Sequence, residues 1–169
     1  MLMNTINCSC GNTNSCSCGC CKSCNFQPCA VTCAPCCGRG GDYAYIYNTE
    51  AQTVAANSPV TASANGPLSG TITHTAGTAE VVIGETGVYI FHFYAAPEAE
   101  AQFSAYRNGT PIQGATFSGD EIMGQFIVAA QIGDVITFVN TGEGEATFTA
   151  QGTADEAVVN TSLTVLKVF

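Results

Sequence analysis

The chain has 169 residues, a net charge of −9, eleven cysteines, no tryptophan and only four basic side chains. That balance excludes nucleic acid as a partner and weakens contact with anionic membranes. No apolar stretch nears the roughly 18 residues of a membrane-spanning helix, so nothing in the sequence inserts into a bilayer.

In chain order, residues 1–37 come first and hold every cysteine: Cys8, Cys10, Cys16, Cys18, Cys20, Cys21, Cys24, Cys29, Cys33, Cys36 and Cys37. Beyond Leu2, Ile6 and Val31 this stretch has almost no aliphatic side chains. It cannot build a core and must be organised by thiol chemistry or by a partner. Residues 1–7, MLMNTIN, lack the positive, apolar and small-residue regions of a secretory signal, so no Sec signal is read. Disulfides would then form after release into an oxidising setting.

Two chemistries compete for these thiols. Cys-x-x-Cys units could clasp a zinc ion, but the segment has no histidine and its spacings follow no single finger or ribbon template. Cross-linking suits them better. The vicinal pairs Cys20-Cys21 and Cys36-Cys37 are poorly placed to bond within the pair and so reach two different partners, and an odd total leaves a thiol for an intermolecular mate. Residues 1–37 therefore read as a connector whose eleven cysteines are all candidates for intermolecular disulfides, with metal binding kept as an alternative.

Residues 38–41, GRGG, form a flexible hinge. All thirteen acidic residues lie beyond Cys37, where Arg107 and Lys167 are the only cations after the hinge. Residues 42–169 read as strand after strand: 43–48, 59–63, 70–74, 79–83, 87–95, 101–108, 111–116, 121–131, 134–141, 145–151 and 158–168. These segments are rich in Val, Ile, Thr, Tyr and Phe, they are parted by Gly, Asn and Asp turns, and none shows a sustained helical period. In GVYIFHFYA, residues 87–95, Val88, Ile90, His92 and Tyr94 take one face and Tyr89, Phe91 and Phe93 the other, so a central strand is expected. Asn108-Gly109 within RNGTP is a hairpin signal. The closing SLTVLKVF is expected to tie the last residues into a sheet.

YIYNT, QTVAAN, NGPLSG, ITHTAGT, GVYIFHF, NGTPI and SLTVLKV together resemble the C-terminal domain of the BclA-like spore-surface glycoproteins of bacilli, a branch of the C1q/TNF-like jelly rolls. The resemblance runs from about residue 41 to 169. It implies an all-β jelly-roll sandwich of about ten antiparallel strands that trimerises around an apolar axis. Tyr45, Tyr47, Phe91, Phe93, Val165 and Phe169 are the candidates for core or axis. The collagen-like stalk and the Pro-rich targeting motif of that family are missing, so its mode of anchoring does not carry over. The vicinal cysteines also resemble those of endospore appendage (Ena) connectors, which cross-link stacked jelly-roll subunits.

No enzyme is read from the chain. His74 and His92, the only histidines, sit in no nucleophile, zincin or Walker motif. The acidic pairs Glu98/Glu100, Asp120/Glu121 and Glu143/Glu145 match no calcium loop and read as solvated charge. Asn108-Gly109-Thr110 and Asn160-Thr161-Ser162 fit a glycosylation pattern that a bacterial origin would leave silent.

The sequence thus points to a structural, self-assembling protein of the endospore surface: an appendage or exosporium subunit or tip, trimeric, and linked by disulfides to itself and to other spore-surface proteins. No cofactor is expected. A trimeric adhesion or ligand-binding module, anchored by the connector, is the alternative. Because residues 42–169 contain no cysteine, excess reductant should leave the melting temperature and the far-ultraviolet sheet spectrum unchanged. A reductant-dependent loss of sheet signal would overturn the separation of connector from body.

Overall fold

The computed structural model describes residues 41–153 and 155–169, so the expectations for the cysteines and for most of the hinge lie outside the described residues. The alternation read from the sequence emerges as twelve strands, with no helix among the described residues. In chain order they are β1 (Tyr43–Asn48), β2 (Gln52–Val54), β3 (Ala64–Ser69), β4 (Thr73–His74), β5 (Val81–Val82) and β6 (Gly87–Ala95). There follow β7 (Ala101–Arg107), β8 (Thr110–Gly119), β9 (Ile122–Ala130), β10 (Val135–Asn140), β11 (Ala146–Phe148) and β12 (Thr161–Lys167).

Ten of them form two five-stranded antiparallel sheets, ordered β3-β1-β12-β6-β9 and β4-β5-β10-β7-β8, while β11 and β2 make a two-stranded ribbon. The all-β sandwich of about ten strands is therefore present. Residues 41–169 form one compact unit.

The inward faces of the two sheets meet in an aromatic core. Phe93 of β6 reaches across from the first sheet to Phe103 of β7 and Phe138 of β10, and Phe126 of β9 reaches Phe138. Phe93 stacks on Phe138 with centroids 4.1 Å apart and planes 9° from parallel, and its edge meets Phe103 at 5.8 Å. Phe91 stacks on Phe126 at 4.9 Å, and Phe103 leans on Phe148 of the ribbon at 5.9 Å. Burying each ring contributes about 1.5–3 kcal/mol of transfer free energy, and well-oriented ring pairs add to that.

Two readings from the sequence shift. Residues 59–63 are not a strand. Pro59 has no N–H to give, and the segment touches β10 through a single bridge, Pro59 to Val139, with Val60 N–H donating to the Phe138 carbonyl at 2.8 Å. The strand lies instead at ANGPLS, whose Gly and Pro look like a turn. Both fit because β3 is the edge of its sheet, where Pro67 is not asked for a ladder donor. Gly66 lies under the Tyr45 ring, and a Cβ there would come within 2.6 Å of that ring. At the other edge Phe117 of β8 covers Gly124 of β9, filling the place of its missing side chain.

The hairpin at Asn108-Gly109 forms as expected. Both residues have positive φ, 51° and 76°, as a type I′ turn requires, and Arg107 pairs with Thr110. This turn is fastened to the next one along the same end of the sandwich. Asn108 Nδ2 donates to Asp134 Oδ1 at 2.7 Å, and the Val135 N–H returns a bond to Asn108 Oδ1 at 2.8 Å. The Asp134 carboxyl is held below its ordinary value, chiefly by the Gln131 backbone N–H. The Asn108 amide and the Arg107 guanidinium act in the same direction against an opposing effect of burial.

Truncating Phe93 to Ala removes the ring common to two aromatic contacts and should cost about 3–5 kcal/mol, read as a lower chemical-denaturation midpoint at unchanged slope. For Asp134 the folded carboxyl is the stronger acid, so its stabilisation is present above the unfolded carboxylate range and is lost as pH falls through the lowered folded value. Asp134→Asn should melt below wild type at neutral pH, and the gap should close as pH falls through the lowered folded value.

Candidate self-association face

The first sheet turns its other face to solvent, and that face is built by strict alternation. Along β6, Tyr89, Phe91, Phe93 and Ala95 are buried in the sandwich, so Val88, Ile90, His92 and Tyr94 point outward. Antiparallel register then carries each of them across the neighbouring strands. One outward row runs Tyr43 (β1), Leu166 (β12), Ile90 (β6), Ile127 (β9). The next runs Tyr45, Thr164, His92, Gln125, and the third Tyr47, Ser162, Tyr94, Met123. A shorter row, Val168, Val88, Ala129, closes the face at the turn end, where the Val168 N–H donates to the Val88 carbonyl at 2.7 Å.

The apolar side chains left in water concentrate here. Met123 is 81% exposed, Ile127 61%, Val168 43%, Leu166 41% and Tyr43 39%. Tyr45 and Tyr47 lie half-buried against each other, ring centroids 5.3 Å apart and 24° from parallel. No Asp, Glu, Lys or Arg interrupts the rows. An uncharged, largely apolar sheet face of this extent marks an interaction surface.

Charge is pushed to the two ends of the sandwich. The loops that follow Asn48, Ala95, Gly119, Asn140 and Phe148 share one end and carry Glu50, Glu98, Glu100, Asp120, Glu121, Glu143, Glu145, Asp155 and Glu156. Glu98 Oε1 accepts a hydrogen bond from Thr149 Oγ1. Three buried asparagines brace this end. Asn48 Nδ2 donates to Asn160 Oδ1 at 2.8 Å, Asn160 Nδ2 donates to the Glu50 carbonyl at 2.9 Å, and Asn140 Nδ2 donates to the Val54 carbonyl at 2.9 Å.

The opposite end holds both cations of the body, Lys167 3.1 Å from Glu85 and Arg107 4.0 Å from Asp134. There the buried Tyr89 hydroxyl donates to the Glu85 carbonyl at 2.6 Å. Burial raises its pKa, and the negative charges of Asp42 and Glu85 add to the rise. Among the described residues no group of three or more His, Cys, Asp or Glu is placed to hold a metal ion.

The structure separates the residues that the sequence grouped as core or axis. Phe91, Phe93 and Val165 belong to the inter-sheet core, at 0%, 4% and 0% exposure. Tyr45 and Tyr47 lie on the outward face, and Phe169, 83% exposed, stands at its turn end beside Gly87. Sequence reasoning set Ile90 and Tyr94 on one face with His92 but named neither of them, nor Leu166, Met123 and Ile127, among the axis candidates, although the period-two pattern marks all five. His74 is held on both sides, with Nδ1 2.5 Å from Asn65 Oδ1 and Nε2 3.1 Å from the Thr78 carbonyl oxygen. His92 stands exposed in the middle of the face.

The whole fold is similar to that of known sandwiches. It superposes on the globular domain of zebrafish complement 1qA protein with a TM-score of 0.56 at 14% identity, over 76% of this chain and 98% of that one. The fold is the C1q/TNF jelly roll. Eiger TNF from S. frugiperda is similar to the same degree, with a TM-score of 0.55 at 14% identity over 76% of this chain and 93% of that one. No family model matches the chain, and no curated protein does.

Proposed function

We propose that this chain is a structural subunit of the bacterial endospore surface that trimerises through the outward face of β1, β12, β6 and β9. The observation that carries the reading is the composition of that face. In a chain of net charge −9, copies repel one another where the acidic loops crowd the ends of the sandwich, and a face without charge is where a second and third copy can approach. Covering the exposed Ile127, Met123, Leu166 and Tyr43 supplies the drive. A closed ring of three copies buries the same face on each and leaves no open contact to extend.

The C1q/TNF-like fold and the BclA-like motifs support three as the number and the spore surface as the place. The cysteines of residues 1–37 would then lock assembled trimers to one another and to other spore-surface proteins after release, as intermolecular disulfides. The body supports that division of labour, since residues 42–169 contain no thiol. The protein acts as a building block, with no reaction assigned to it.

Multi-angle light scattering on the full chain in excess reductant tests the trimer, with three chain masses the expected result. Ile127→Asp places a charge in the covered face and should weaken association at least about tenfold, toward monomer, without changing the sheet spectrum. A monomeric wild type at tens of micromolar would overturn the reading. After oxidation, non-reducing gels should show bands above trimer. Stoichiometric zinc with the thiols still reduced would instead assign the connector to metal binding.

A further inference from the structure

The outward face is not uniformly apolar. Between the row led by Tyr43 and the row led by Tyr47 runs Tyr45, Thr164, His92, Gln125, one polar group on each of four adjacent strands. In the single chain Gln125 and His92 are exposed, so nothing in the monomer's fold requires them to be polar. Their chemistry has a common property. A phenol, a hydroxyl, a neutral imidazole and a carboxamide each carry both a donor and an acceptor, so each can pair with a copy of itself or of its neighbours. A row of carboxylates or ammonium groups could not meet its own copy in that way.

The geometry points to this row, through His92 and Gln125, as the element that sets the register in which copies of the chain meet. The inference rests on the self-association reading and adds a selectivity to it. Adjacent rows on a strand are two residues apart, about 6.8 Å. A slip by one row would lay the polar groups of one copy against Ile90, Leu166 and Ile127 of the next, leaving buried donors and acceptors unpaired. Each orphaned group disfavours the slipped form about tenfold or more. An unrelated apolar surface placed on the face would orphan the same groups, so the row also discriminates against foreign partners. The occupant is a second copy: the face carries no like charges to hold copies of this acidic chain apart, and each group in the row can be met by its own counterpart.

The test is a mixing experiment on the full chain in excess reductant, read by native mass spectrometry. Wild type and a mass-tagged His92→Leu/Gln125→Leu double variant are dissociated, mixed and allowed to reassociate. If the row sets register, hetero-oligomers fall at least about tenfold below their statistical share, and the variant alone spreads over more than one stoichiometry. His92→Gln, which keeps a donor and an acceptor, should mix statistically with wild type. Sheet spectra of the variants confirm that they fold, as the exposure of both side chains predicts. Statistical mixing of the double variant with an oligomeric wild type would overturn the role of the row and leave self-association standing. A wild type that never associates would overturn both.

Discussion

The Phe93–Phe138 stack is the contact on which the rest of the molecule depends, because it decides which face of the first sheet is inside. β6 has bulk on both faces, so its own composition does not settle the matter. Once Phe93 stacks on β10 and Phe91 on Phe126, Tyr89 and Ala95 must follow inward by the two-residue period. Ile90, His92 and Tyr94 are then left outside, and the pairing of β6 with β12 and β9 aligns Leu166 and Ile127 with them. The outward apolar face is thus a consequence of the core, since a register slip that exposed one would bury the other.

Charge placement completes the division. Acidic side chains occupy the loops at one end, the two body cations are paired at the other, and the outward sheet face carries neither. With a Debye length of about 8 Å at physiological salt, the carboxylates at one end are felt along only part of that face. They oppose end-on contact there, while lateral contact between faces remains open. Buried asparagines, in place of a larger core, hold the acidic loops. Amides satisfy carbonyls without adding charge to a region already strongly negative.

Much of the fold was legible because alternation and turn chemistry are local. The bounds of β1 and β6 are those read from the sequence, and Asn108-Gly109 makes the expected turn. β3 was not legible. Its Gly66 and Pro67 are turn residues by local rule, and they are tolerated only because the strand is an edge and the Tyr45 ring needs the space. β2, three residues long and partnered only by β11, is too short to carry a period. The interaction face was half legible. Alternation divides Tyr45 from Ala44 and His92 from Phe91, but when both sides of a strand are apolar no local rule says which side meets the second sheet. That is decided by Phe138 and Phe103, which lie far along the chain.

The same argument explains why polarity is informative on this face. A core position selects for volume and against hydrogen-bonding groups, and the inward residues of β6 obey that rule apart from Tyr89, whose hydroxyl is satisfied by the Glu85 carbonyl. An outward position on a face that remained in water would tolerate charge, the commonest way to keep a sheet soluble. Here the rows exclude charge yet retain His92, Gln125, Thr164 and Tyr45, each able both to give and to accept a hydrogen bond. Neither burial in a monomer nor permanent exposure accounts for that combination. The proposed burial against a copy of itself does, because desolvation rules out like charges meeting and register requires groups that can pair with their own kind.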